Sequence, residues 1–136
     1  MDNKKEYINP DGLFKSPAFS QIVTTQGSGK TIYVGGQNAV DKNVELVGKN
    51  DIAAQTEQAM KNLETALKSC GADFKDLVKL NIYLLQGQDL KKGFEVSQNF
   101  LKEVEKPPVV TVLFVAGFVN PDYLIEIDAT AFICEI

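Results

Sequence analysis

PPVVTVLFVAGFVNPDYLIEIDATAFICEI, Pro107 to Ile136, is the stretch on which the fold turns. It reads as two long strands about a short turn. The first, Val109 to Phe118, is apolar on both faces, with Val109, Leu113 and Val115 on one and Val110, Val112, Phe114, Ala116 and Phe118 on the other. Only Thr111 and Gly117 interrupt it. A half-solvated strand alternates apolar and polar residues, so a strand without alternation is expected to be covered on both sides. The second, Leu124 to Ile136, does alternate. Ile125, Ile127, Ala129, Ala131 and Ile133 form an apolar face, and Glu126, Asp128, Thr130, Phe132 and Cys134 a mixed one. Glu126 and Asp128 therefore point away from the first core.

The upstream chain supplies the cover. From Asn50 onward Ile52, Thr56, Ala59, Met60, Leu63, Ala66, Leu67 and Cys70 recur at three- and four-residue steps, the period of an amphipathic helix. Asn50 or Asp51 can cap its start and Gly71 can close it. Leu77 to Leu85 is a strand, with Val78, Leu80, Ile82 and Leu84 facing one way and Lys79, Asn81 and Tyr83 the other. Leu90, Phe94, Ser97, Leu101 and Val104 mark the stripe of a second helix, which Pro107-Pro108 stops. Before all of these, residues 1–17 form a polar lead-in with a turn at Asn9-Pro10-Asp11-Gly12. A strand from about Ser20 to Thr25 is expected to return through Gly27-Ser28-Gly29-Lys30 as a hairpin with Thr31 to Val34. The order β-β-α-β-α-β-β over residues 1–136 makes one α+β domain, a mixed sheet with two helices on one face.

Composition excludes several partners. Of 136 residues 18 are acidic and 14 basic, giving a net charge of -4. All 14 basic residues are lysines, and the chain has neither histidine nor tryptophan. Arginine is the usual fork for phosphates and guanine edges, so scattered lysines on an acidic chain argue against a nucleic-acid footprint and a polybasic membrane surface. Cys70 and Cys134 have no CxxC spacing and no histidine to complete a zinc site, so they read as free, buried thiols in a reducing compartment. The N-terminus has no apolar h-region and no run reaches membrane-spanning length, so a cytoplasmic location is expected. Gly29-Lys30-Thr31 imitates a phosphate loop, yet Thr24 stands where its first glycine belongs and a strand follows where a helix should.

Two helices can cover only one face of the sheet. The other face carries Tyr83 and Phe132 beside the apolar strand, more than a soluble monomer ordinarily exposes. A homo-oligomer packed through this open face follows, with Glu126 and Asp128 near a subunit boundary, where ligand clefts form.

In order and spacing, several short words resemble the RidA (YjgF-like) family of reactive-intermediate deaminases, formerly named endoribonucleases. They are Phe19-Ser20-Gln21, Ile32 to Gln37 (IYVGGQ), Gln55, Asn62-Leu63, Gly71-Ala72, Phe74 to Tyr83 (FKDLVKLNIY), Pro107-Pro108 and Ile125 to Ala131 (IEIDATA). The resemblance runs from Phe19 to Ile133. It implies a chorismate-mutase-like fold and a homotrimer with small-molecule clefts between subunits. It also implies hydrolysis of imines and enamines to a carbonyl product and ammonia, without metal or cofactor. In that chemistry an arginine grips the substrate carboxylate while a glutamate and backbone groups position a water.

Carried over position by position, the resemblance makes Glu126 the catalytic glutamate. The family arginine falls on Val110, the serine before Gly-Gln on Gly35 with Gly36 beside it, the cleft tyrosine on Phe19, and the polar residue of the second helix on Phe94. Phe19, Gly35, Gly36, Phe94 and Val110 would then bind substrate in an apolar cleft with Glu126 as its charge. Losing a charge-assisted bidentate contact costs on the order of 2 to 5 kcal/mol when its partner is left unpaired. Lys79 or Lys30 is the point charge that could replace it. Glu126 can equally serve as a hydrogen-bond acceptor at a subunit boundary. Three functions stay open: a deaminase with altered substrate preference, a non-catalytic ligand-binding trimer, and, last, an endoribonuclease, which the missing arginine, histidine and positive charge disfavour.

Overall fold

The computed structural model describes residues 2–135, so Ile136, the expected end of the last strand, lies outside the described residues. Three strands open the chain, β1 (Lys4–Ile8), β2 (Ile22–Gln26) and β3 (Gly29–Gln37). Then come helix α1 (Ile52–Ser69), a short 3-10 turn (Phe74–Asp76), β4 (Leu77–Leu85), α2 (Leu90–Leu101), β5 (Val109–Val115) and β6 (Ile125–Cys134). The mixed α+β architecture with two helices is that expected from the sequence.

Strand β6 is the axis. The main sheet runs β3-β6-β4-β5, with β6 antiparallel to β3 and β4, and β5 parallel to β4 after the α2 crossover. The alternation read in β6 is realised: Ile125, Ile127, Ala129 and Ala131 are buried, while Glu126, Asp128 and Thr130 are only half-buried. Behind the buried face lie Ala59, Met60, Leu63 and Leu67 of α1, together with Leu77, Leu80 and Leu84 of β4, in one core cluster. Each such leucine, withdrawn from water, contributes roughly 1.5 to 3 kcal/mol.

Helix α1 starts and stops as its sequence dictates. The Asp51 side chain caps it by accepting from the Ala54 amide at 3.1 Å. At its end Gly71, at φ 78°, donates to the Lys68 carbonyl while the Ala72 amide reaches Leu67, the double bond that closes a helix on a left-handed residue. Gln55 is fully buried yet satisfied: its Nε2 donates to Gly48 O at 3.1 Å and Asp122 O at 3.0 Å, and its Oε1 accepts from Leu124 N at 2.9 Å. One side chain thus ties two loops to the helix.

Three expectations need correction. The polar lead-in holds a strand, β1, and β2 pairs antiparallel with it rather than returning as a hairpin with β3, which pairs with β6. The reason is long-range: Gly27, at φ 82°, turns the chain so that Ser28 N donates to Asn3 Oδ1 at 2.6 Å, and no local pattern encodes that partner. The β1-β2 pair covers part of the face opposite the helices. There Lys5 Nζ donates to Phe132 O at 3.1 Å, and Phe132, despite its register on the mixed face, is buried. Finally, β5 ends at Val115, short of Phe118, and is an edge strand whose Val112, Leu113 and Phe114 stay 41%, 50% and 48% exposed. Its two apolar faces are not covered within one chain.

Two residues report on this framework. Tyr7 donates its hydroxyl to Leu77 O at 3.2 Å, and burial, helped by the negative charges of Asp76 and Cys134, pushes its phenol up to about 12. Between an unfolded value near 10 and that folded value the native state holds a proton the unfolded chain has lost, so stability falls as pH rises through this window. Tyr7→Phe is expected to remove that slope in urea unfolding between about pH 10 and 12, while costing about 1 kcal/mol at neutral pH. Val44 sits at φ 64° with 77% of its surface exposed, in a loop held by Asp41, whose Oδ1 accepts from Asn43 N at 2.8 Å and Glu45 N at 3.0 Å. A β-branched residue in that region is strained, and Val44→Gly is expected to raise stability by about 1 kcal/mol in the same measurement.

Candidate functional site

Three of the expected site residues converge on the helix side of the sheet. Val110 pairs with Leu80, and Val112 with Ile82, so both point to the side on which α2 lies. Phe94, on α2, is 48% exposed and faces them across a groove of about 640 Å³ that is also lined by Phe19, Leu90, Ile82, Leu80 and Leu101. Phe19 is held there by its neighbour: Ser20, almost fully buried, donates its amide to Pro108 O at 2.9 Å and its hydroxyl to Pro107 O at 2.5 Å. The segment is thereby pinned across the start of β5. The lining is mostly apolar, with Asp89, Lys91 and Gln98 among its polar members.

The other three residues form a second cluster on the opposite side. Glu126 pairs with Tyr83, and Asp128 with Asn81, whose Nδ2 donates to Asp128 Oδ1 at 2.8 Å. A register shift between Val34 and Gln37 breaks the ladder of β3 against β6 at Gly35-Gly36. It brings Gly36 against the carboxylate: a Cβ there would lie 2.7 Å from Glu126 Cδ, so only glycine fits without displacing the glutamate. Gly35 is open, with nothing within 4 Å of the equivalent position. The Tyr83 phenol is raised above its ordinary value, first by desolvation, then by the charge and hydrogen bonding of Asp128 and the charge of Glu126.

Within one chain these clusters do not meet. Val110 and Glu126 lie on opposite faces of the same sheet, as their partners Leu80 and Tyr83 on β4 require. The cations are distributed differently from expectation. Lys30 Nζ is engaged by the Cys70 carbonyl at 2.6 Å, and Lys79 is exposed on the Glu126 side of β4, whereas the lysine that lines the groove is Lys91. Sequence spacing gave no hint of Lys91, because its approach to Val110 depends on how α2 crosses the sheet. Asn38 was missed in the same way: its Nδ2 donates to Glu126 Oε1 at 3.2 Å. Among the described residues no group of three or more cysteine, aspartate or glutamate side chains is arranged to hold a metal ion, and no helix is long and apolar enough to cross a membrane.

Residues 14–133 match the family model described as Endoribonuclease L-PSP. The 3-aminoacrylate deaminase RutC of Acinetobacter baylyi is 31% identical over 127 residues, covering 93% of this chain and 97% of the relative. The human 2-iminobutanoate/2-iminopropanoate deaminase is 30% identical over 84 residues, 62% of this chain and 59% of that one. Among solved structures, the Rid-family protein of unknown function YyfB from Yersinia pestis superposes with a TM-score of 0.84 at 33% identity, covering 95% of this chain and 98% of its own.

The two glycines separate cleanly in experiment. Gly36→Ala drives a methyl into the Glu126 carboxylate, the end of a flexible side chain that can swing aside, so it is expected to move the carbon-13 carboxyl resonance of Glu126 while costing no more than about 1 kcal/mol in chemical unfolding, whereas Gly35→Ala should leave both unchanged within about 0.5 kcal/mol.

Proposed function

The chain belongs to the Endoribonuclease L-PSP family, the Rid proteins, and from that membership we propose that it acts as a trimeric imine or enamine deaminase with altered substrate preference. The observation that carries the assembly is the division of the site: an apolar groove around Phe19, Phe94 and Val110 on one face, and Glu126 with Gly35 and Gly36 on the other. Neither half is complete alone. Two copies meeting edge to edge put one chain's groove opposite the other's carboxylate, and three such clefts close a ring with cyclic symmetry. The exposed apolar residues of β5, and Tyr33 at 81% exposure, are the surfaces such contacts would cover.

In the cleft, the substrate's side chain lies along the groove while its imine carbon faces Glu126. The carboxylate accepts a proton from a water as that water's oxygen bonds to the imine carbon. That proton passes to nitrogen to give a carbinolamine; the hydroxyl proton then follows it to nitrogen through the carboxylate as the carbon–nitrogen bond breaks, and ammonia and a carbonyl compound leave. Substrate and water enter; no other reactant is consumed. With Val110 at the arginine position the site lacks a bidentate grip on a carboxylate, so preference moves toward substrates with a larger apolar part.

A second function rests on that same apolar lining: a trimer that holds a small ligand in its clefts without turning it over. An endoribonuclease ranks last, since the chain has a net charge of -4 and lysine as its sole cation. Free thiols at Cys70 and Cys134 suit a reducing cytoplasm.

Sedimentation equilibrium is expected to give three chains per particle. Ammonia release from freshly generated 2-iminobutanoate is expected to be slow in the wild type and to rise at least about 10-fold in Val110→Arg, with the gain abolished by Glu126→Gln. Wild-type turnover equal to that of an arginine-bearing relative would overturn the altered preference. Inert wild type and inert Val110→Arg together would leave the binding trimer as the function.

A further inference from the structure

Asn38 stands outside the family words, yet it is the residue that touches the Glu126 side chain most directly. Its Nδ2 carries two protons and both are spent on the strand that bears the carboxylate, one on Ile125 O at 3.0 Å and one on Glu126 Oε1 at 3.2 Å. With two oxygens facing one nitrogen, the amide has a single sensible orientation. Asn38 is in turn held from α1: Asn62 Nδ2 donates to Asn38 O at 3.0 Å and to Val40 O at 2.8 Å, and Asn62 Oδ1 accepts from Gln58 Nε2 at 2.9 Å. Two residues before Glu126, Gln55 of the same helix holds Leu124 N at 2.9 Å. The carboxylate is thereby linked to α1 through Asn38 and Asn62, and the strand that bears it is tied to the same helix through Gln55.

The two carboxylate oxygens are unequal as a result. Oε1 is taken by Asn38, whereas Oε2 lies against Gly36, where the missing side chain leaves it room. We propose that Asn38 is the positioning residue for Glu126, holding Oε1 and leaving Oε2 as the freer oxygen to meet ligand or water. This rests on the deaminase function for its kinetic consequence, though not for its structural one.

The test replaces the amide by an apolar side chain of similar size, Asn38→Leu, with Leu63→Ala as a destabilised control that touches neither the groove nor the carboxylate. Two readouts are taken. Carbon-13 NMR of labelled glutamate follows the Glu126 carboxyl resonance at neutral pH in each protein, and steady-state kinetics follow imine hydrolysis, in the Val110→Arg background where that is faster. Asn38→Leu is expected to displace and broaden the Glu126 carboxyl resonance, because the carboxylate loses its fixed donor. It is also expected to lower kcat by about 10- to 100-fold while KM changes by less than about 3-fold. Leu63→Ala should do neither below its melting temperature. An unmoved resonance in Asn38→Leu overturns the assignment whether or not any imine is hydrolysed. A moved resonance in proteins that all fail to release ammonia upholds Asn38 and overturns the deaminase function.

Discussion

The two-residue period of β6 governs the molecule. This strand lies between β3 and β4, so its buried residues Ile125, Ile127, Ala129 and Ala131 fix where α1 must sit, and its intervening residues fix what the opposite face presents. A slip of one residue would exchange isoleucines for carboxylates on the core side. That exchange is prohibitively costly, since an unpaired buried carboxylate is among the most unfavourable groups in a protein interior. The same constraint that makes the core therefore delivers Glu126 to the open face without any dedicated loop.

Polar groups inside α1 complete the arrangement. A helix that packs on a sheet ordinarily contributes only apolar side chains, yet Gln55 is fully buried and Asn62 partly so. Gln55 bonds only backbone outside the helix, Asn62 bonds two carbonyls outside it and Gln58 within it, and no buried side-chain nitrogen or oxygen among the described residues lacks a partner. They act as rivets between the helix and the two loops that flank the β3-β6 ladder. Rigidity near the carboxylate is in this sense a property of the helix rather than of the strand that carries it.

Local patterns were legible where the partner lies within a few residues. The bounds of β4, the Asp51 cap and the Gly71 closure all follow from short-range chemistry, and the structure reproduces each. The β2-β3 hairpin failed for the opposite reason. Gly27-Ser28-Gly29 has suitable turn residues, but Asn3 holds Ser28 and draws β2 onto β1. β1 itself was overlooked because Lys4, Lys5 and Glu6 look like a solvated tail, and only the contact of Lys5 with Phe132 O gives them a structural task. At the site, Phe19, Phe94 and Val110 line one groove, while Gly35, expected beside them, does not. That Glu126 lies across the sheet from them is a matter of register, and Asn38 and Lys91 depend on a β-bulge and on a helix crossing that no sequence spacing announces.

β5 lies at the margin of the sheet with much of its apolar surface in solvent. VVTVLFV is a seven-residue strand with no charge, rich in β-branched residues, and half open to solvent along one margin of the sheet. Such a segment is a template for cross-β stacking with its own copies. Lys106-Pro107-Pro108 before it and Asn120-Pro121-Asp122 beyond it are the gatekeepers that interrupt pairing at either end. An uncovered margin of this kind favours pairing between copies, so whatever lies over β5 bears on solubility as much as on the groove beside it.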